Sequence, residues 1–400
     1  MCRSVMTALS LARQPILDHD HSAQGYELIY AHRDTSDTSL DGLLANAQRA
    51  FEAICEVDLK QLVGDRQAWI NVTPELLELN LIPILPPERV VLELNTTAFA
   101  DGTQLSRLAE LREAGYSLAL NQFRFRPQVT PLLELVDTVK LDFGALGSRE
   151  LAHQQFLLTP YGHRIVAEGV ASYDDVKLAS AAAVDLFQGY FFTRPQLLGG
   201  RIVRPSRLAL MQLAGALQDP GIELAELDRL ISADVELSFR LLKHINSAYF
   251  ILRGQVSSIQ HAIALLGIDQ LRRWATMTIL TEFGDKPREL FVTALIRAHF
   301  CEHAGNAHDG PPAELFTLGL FSVLDALNDT TMYSAVKDLP LTQEMHDALV
   351  HRTGAGRLLS CVTAIETGEF EQAEAIESDA FRAYIDSIAW SNETAKQLVG

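Results

Sequence analysis

Residues 116 to 127 read YSLALNQFRFRP. The run Tyr116-Ser-Leu-Ala-Leu120 is apolar enough for a buried strand. The loop it enters opens on two amides, Asn121 and Gln122, followed by two arginines, Arg124 and Arg126. That is the place where a strand of an α/β enzyme commonly delivers acidic catalytic groups. Working outward, β-rich runs recur at Leu11 to Leu17, Gly25 to Tyr30, Ala68 to Val72, Arg89 to Leu94, Val136 to Leu141, Arg164 to Ala167 and Leu186 to Phe192. Between them, Leu40 to Cys55, Thr103 to Ala114 and Asp174 to Ala183 carry apolar residues at helical spacing. Strand followed by helix, repeated this often, predicts a parallel sheet closed into a TIM-like (β/α) barrel, with a doubly wound open sheet as the alternative.

From Pro205 onward the strand signals stop and an all-helical region is predicted. Asp234 is placed to cap a helix starting at Val235, whose apolar stripe is Leu237, Leu241, Leu242 and Ile245. Gly267 separates two apolar helical runs as a hairpin, and Pro287, Gly310-Pro-Pro312 and Pro340 punctuate later helices. The Pro- and Gly-containing segment 193–206 reads as a linker, giving domains 1–198 and 199–400. Trp274 and Trp390 are expected in the helical core, Trp69 on a strand, and Asn246-Ser247 at a helix end.

Bulk properties narrow the partners. The chain has 400 residues, 48% of them hydrophobic, and a formal charge of -18. That charge opposes a phosphate-tracking nucleic-acid surface, which needs clustered Lys and Arg. A small anionic nucleotide in a local pocket is not excluded by it. Cys2, Cys55, Cys301 and Cys361 lie far apart, so neither a zinc cluster nor a disulfide framework is implied. A cytoplasmic location is expected: the first ten residues make a weak secretion signal, and no run reaches the ~18 apolar residues that span a bilayer. Glu366, Glu369, Glu371, Glu374 and Glu377 read as a solvated acidic face, and Arg272-Arg273 as solvated charges.

The segments LARQPILDHDHSAQGYELIY, WINVTPELL, VVLELN, LVDTVKLDF, IVAEGV and DLFQGYFFTRP, in that order, resemble EAL domains, the barrels that hydrolyse cyclic di-GMP. The later segments LISADVELSFRLLKHINSAYF, SIQHAIALLGIDQLRRW and LGLFSVLDAL resemble HDOD domains. A collinear series is far more specific than any one motif. Active EAL domains use two divalent metals, which activate a water and steady an in-line phosphoryl transition state. By motif position the resemblance implies Glu27, Asn71, Glu93 and Asp142 as ligands, Lys140 as the lysine orienting the water, and Glu168 and Gln188 as supporting residues.

The departures from the family pattern point away from catalysis. Where the family carries Asp-Asp-Phe-Gly, this chain has Asn121-Gln122-Phe123-Arg124. Two metal-binding carboxylates are replaced by uncharged amides, with Arg124 and Arg126 beside them. The phosphate-binding arginine four residues after the signature Glu is Ala31, and the second Glu of the EGVE stretch is Ala171. We therefore expect no enzyme and no cofactor, with Mg or Mn entering only if catalysis survives. A guanidinium from Arg124 or Arg126 filling the vacated space and pairing with Glu27, Glu93 and Asp142 is one expectation. The other is that both arginines decorate a loop.

The HDOD-like half lacks the His-Asp pair of HD phosphohydrolases, having Ser322 and Val323 there, and Ser322 and Asp325 read as ordinary residues of one helix with Leu320, Val323, Leu324 and Leu327. His299-Phe-Cys-Glu302-His303 fits the inverted zincin pattern, with Glu314 as a third ligand. Against zinc, Gly305 ends the helix so soon that His303 reads as a last-turn residue. The resulting reading is a signalling protein acting through an unknown protein partner, without hydrolysis. The alternatives are a cyclic di-GMP sensor that binds without cleaving, and a weak phosphodiesterase. The resemblance also implies a homodimer, as EAL relatives often form.

Overall fold

The computed structural model describes residues 9–32, 51, 58–196, 205–217, 221–233, 235–245, 258–282, 286–306, 308–337, 339 and 341–399. The readings at Cys2, Cys55, Asp234, Asn246-Ser247, Pro340, most of Leu40 to Cys55 and most of the linker lie outside these, as do the side chains of Ala31, Arg272 and Arg273. The described chain folds as two compact units. One holds the described residues of Met1–Arg194, Pro287–Val292 and Ser360–Lys396, the other those of Pro195–Lys286, Thr293–Leu359 and Gln397–Gly400.

Eight strands close into a barrel in chain order: β1 (Leu9–Leu17), β2 (Ala23–His32), β3 (Gln67–Val72), β4 (Val90–Asn95), β5 (Ser117–Asn121), β6 (Thr138–Asp142), β7 (Arg164–Glu168) and β8 (Leu186–Gln188). From β2 to β8 neighbours run parallel, while β1 is antiparallel to both β2 and β8. A wholly parallel sheet was the expectation, and the connection explains the reversal. A parallel crossover needs about a dozen residues or more, and only residues 18–22 join β1 to β2. That hairpin is tied by Asp18, whose Oδ1 accepts from the Asp20 and Ser22 amides at 2.9 Å each. At the far end, β8 is shorter than the predicted run. Gly189 (φ +150°) packs so closely that a Cβ there would stand 2.0 Å from the Val170 carbonyl oxygen, and the chain turns away.

Inside the barrel, side chains alternate in two levels, as strand geometry requires. Ile16, Trp69, Val91, Ala119, Val166 and Leu186 form a buried apolar level. Two residues further along β3, β4, β5, β7 and β8 stand Asn71, Glu93, Asn121, Glu168 and Gln188. On β2 the lower place falls to Gly25, where a Cβ would meet the Trp69 indole at 2.5 Å, and the upper one to Glu27. The missing side chain at 25 is thus what admits the Trp69 ring beneath the polar level.

In the helical unit, Gly267 (φ +72°) interrupts Ile259–Glu282 as predicted. The segment around Ser322 is not one helix. Pro312–Phe321 ends there, and Leu324–Asn328 begins two residues later. Ser322 is buried and accepts from Arg297 Nη1 at 3.3 Å, so it anchors the break rather than decorating a face. Trp274 is buried and Trp390 only half-buried. Glu366 is buried rather than solvated, because the same side of its helix Gly356–Glu366 carries the buried Leu359 and Val362. Among the described residues no helix is long and apolar enough to cross a membrane.

Candidate functional site

The polar level of the barrel is one hydrogen-bonded cluster centred on Lys140. Its Nζ lies 2.6 Å from Glu27 Oε2, 3.0 Å from both oxygens of Glu93 and 3.4 Å from Glu168 Oε2. Lys140 and Glu93 are both fully buried. A buried charge survives only when paired and hydrogen-bonded, and this ammonium hydrogen-bonds to Glu27 and Glu93 and forms an ion pair with Glu168. Beneath it, the Trp69 ring centroid is 5.9 Å from Nζ.

Amides complete the cluster. Asn71 Nδ2 donates to Glu27 Oε1 at 2.9 Å, and Gln188 Nε2 donates to Glu27 Oε2 at 2.6 Å and to Gln14 Oε1 at 2.8 Å. Asn121 Nδ2 donates to Asn71 Oδ1 at 2.7 Å and to Glu93 Oε2 at 3.3 Å. The orientation of Asn121 is fixed by its partners, since both are acceptors and require its nitrogen. Each oxygen of Glu27 and Glu93 therefore already accepts from an N–H of this chain. The amide oxygens of Asn121 and Gln188 are buried without a partner among the described residues.

The electrostatics follow from burial and from one cation facing three anions. Burial opposes the charge on Glu27, but Lys140 and the hydrogen bonds from Gln188 and Asn71 outweigh it and hold its carboxyl below the ordinary value. Glu93 is pushed up to about 8, by burial first and then by the charge of Glu27, with Lys140 only partly compensating. Glu168 is raised as well, chiefly by burial. Burial works against the charge on Lys140, but Glu93, Glu27 and Glu168 reverse that and hold it protonated. The cluster balances by keeping the ammonium charged while burial and mutual repulsion raise Glu93 and Glu168.

Seven of the residues singled out in the sequence thus meet: Glu27, Asn71, Glu93, Asn121, Lys140, Glu168 and Gln188. Asp142 stands apart. It caps the helix Phe143–Leu158, accepting from the Ala145 amide at 2.9 Å. Gln122 adopts φ +47°, is exposed, and accepts from Asn95 Nδ2 at 2.8 Å. The expectation that an arginine fills the pocket is corrected. Arg124 and Arg126 are exposed and form no ion pair among the described residues, because Phe123 takes the buried position and the space is held by Lys140. Both arginines instead line a cavity of about 670 Å³ with Thr96, Thr97, Gln122 and Asp142 among its walls.

Three members of the site escaped the sequence reading. Gln14 receives Gln188, Tyr30 donates from its hydroxyl to the Asn71 carbonyl at 2.6 Å, and Trp69 floors the ammonium. The period-two pairing of an apolar residue with a polar one at strand ends, as in Val91/Glu93 and Val166/Glu168, is the signal that marks this level. In the helical unit His299 and His303 stack with ring centroids 3.9 Å apart, and His303 Nδ1 donates to the His299 carbonyl at 2.9 Å. Burial lowers His299 to about 4. Among the described residues no three His, Cys, Asp or Glu side chains are grouped to hold a metal, which leaves the zincin pattern without its third ligand.

Comparison with known proteins supplies the context. The model of the EAL domain matches residues 42–195 and that of the HDOD domain residues 207–339. The chain is 30% identical over 372 residues to the cyclic di-GMP phosphodiesterase CdgJ of Vibrio cholerae, covering 91% of this chain and 86% of that protein. It is 28% identical over 400 residues to the uncharacterized protein YuxH of Bacillus subtilis, covering 95% and 97%. Among solved structures, Klebsiella pneumoniae BlrP1 in a calcium and cyclic di-GMP complex is 22% identical with a TM-score of 0.37, over 49% of this chain and 58% of that one.

Proposed function

The chain belongs to the family that joins an EAL domain to an HDOD domain, and from that membership we propose a non-catalytic role in cyclic di-GMP signalling, exerted through contacts with other proteins. The observation that carries this is the Lys140 cluster, in which N–H donors of the chain itself satisfy the carboxylates a metal pair would need. Two divalent ions bring about four positive charges and demand oxygen ligands with free lone pairs. Here each oxygen of Glu27 and Glu93 already accepts an N–H, Asn121 turns its nitrogen to the cluster and keeps only a neutral oxygen without a partner among the described residues, and Asp142 caps a helix. The residues present do not fit the pair.

The test is calorimetric titration of cyclic di-GMP into the purified full chain, with and without Mn²⁺ or Mg²⁺, followed by chromatography for a linear dinucleotide. No heat and no product is the expected result. Heat without product would make the barrel a sensor, and accumulation of the linear dinucleotide in step with enzyme concentration would overturn the reading. A protein partner is then sought with the same full chain as bait.

A further inference from the structure

Arg124 stands where the EAL pattern has Gly, so its side chain departs from that pattern. The segment is anchored, not loose: the Phe125 amide donates to Oε1 of the buried Gln154 at 2.7 Å, and Phe123 is buried to 1% exposure. Arg126 is extended (φ −146°, ψ 148°), and in extended chain residues two apart project to one side. Both guanidinium groups line the cavity of about 670 Å³, with Phe123, Val129 and Leu146 supplying apolar wall.

The guanidinium donors in this cavity pair with no carboxylate among the described residues, and the two acids of its wall spend one oxygen each on local backbone and hydroxyl donors. Among the described residues Arg124 and Arg126 have no carboxylate partner, and Gln122 spends its oxygen on Asn95, leaving its amide N–H groups free. Of the two acids in the wall, Asp142 accepts from the Ala145 amide, and Asp101 accepts from the amide and hydroxyl of Thr103 at 3.1 and 3.0 Å. A volume of this size suits a small molecule, and two free guanidinium forks suit a terminal phosphate, whose charge near neutrality is about −1.5 to −2.

We propose that this cavity binds a small phosphomonoester, with Arg124 and Arg126 gripping the terminal phosphate and Gln122 donating to it. A phosphodiester offers only one charge per phosphate and no terminal group, so the site discriminates against cyclic dinucleotides. The inference does not rest on the absence of catalysis: neither arginine touches the Lys140 cluster.

Titration calorimetry with the full chain tests it, using 5′-GMP, guanosine, inorganic phosphate and cyclic di-GMP as probes against wild type and R124A/R126A. Both arginines are exposed, so the double variant should keep the wild-type thermal midpoint. Expected are binding of 5′-GMP at least tenfold tighter than of guanosine or cyclic di-GMP, measurable competition by phosphate, and at least a tenfold loss in the double variant. Equal binding of guanosine, tighter binding of cyclic di-GMP, an unaffected double variant, or no 5′-GMP heat at millimolar concentration would each overturn it. Turnover of cyclic di-GMP would sink the non-catalytic reading and leave this pocket standing.

Discussion

At the scale of single residues, Lys140 decides the chemistry, because it supplies the positive charge the three surrounding glutamates require. Removing one partner of a buried ion cluster leaves the others uncompensated, so Lys140→Met should destabilise the barrel by about 3–5 kcal/mol. Urea unfolding would measure this, and a loss under about 1 kcal/mol would mean the ammonium matters little. Asn121 gives a complementary test. Asp at 121 removes the donated bonds to Asn71 and Glu93 and sets a new charge beside a buried carboxylate. We expect a lower thermal midpoint for Asn121→Asp without metal, recovering with millimolar Mn²⁺, whereas the wild-type midpoint ignores Mn²⁺. Glu93 predicts a pH dependence. Its carboxyl is raised from 4.5 to about 8 in the fold, so the folded state holds a proton that the unfolded chain has released across that window. Stability from this group is complete below pH 4.5 and is lost as pH rises towards 8, at up to about 1.4 kcal/mol per pH unit. Glu27, lowered in the fold, works the other way and loses its contribution only as pH falls through the acid range. Glu93→Gln should therefore flatten the decline in thermal midpoint between pH 5 and 8, and an unchanged slope would refute the assignment.

At the scale of elements, the strands were legible because each is a short apolar run closed by polar residues, and the seven clustered residues were legible because the collinear EAL-like motifs on those strands mark their positions. Two things were not. The antiparallel β1 depends on how few residues separate it from β2, which the repeating pattern hides. The partner of the carboxylates depends on which side chain crosses the barrel, and a linear sequence holds no information on opposition across a closed sheet. Hence the arginines, adjacent in sequence, drew attention that belonged to Lys140. Helix packing in the other unit has a similarly hidden determinant. A Cβ at Gly319 would stand 2.2 Å from the Arg297 carbonyl oxygen, so the helices Arg288–Ala304 and Pro312–Phe321 meet backbone to backbone there. Gly319→Ala forces them apart and should cost about 1–3 kcal/mol despite its better helix propensity. Chemical denaturation reporting a stabilised variant would show that the close approach is not required.

At the scale of the whole molecule, the order of the chain and the compact units do not coincide. Residues of Ser360–Lys396 belong to the same unit as the barrel, although they follow the helical segments in sequence. Within that unit Asn392 Nδ2 donates to the Gln61 carbonyl at 2.7 Å, and Arg13 reaches Asn392 Oδ1 at 3.1 Å and the Leu62 carbonyl. Tyr190 donates to the Glu366 carbonyl, and Tyr26 to Glu289 Oε1 at 2.8 Å. Arg13 is buried to 3% exposure and also lies over the Tyr26 ring at 4.3 Å, so the first barrel strand carries a buried charge one of whose hydrogen-bond acceptors comes from the far end of the chain. Deleting residues 360–400 takes away Asn392 and exposes apolar surface around Tyr190, while a buried guanidinium with too few partners costs several kcal/mol. A chain ending at 359 should accordingly lose the barrel's cooperative unfolding transition, or show it at least 10 °C lower by near-ultraviolet circular dichroism. If the truncated chain instead unfolds at the full-length midpoint, the C-terminal helices are an appendage, and the Arg13 contacts contribute nothing to the barrel.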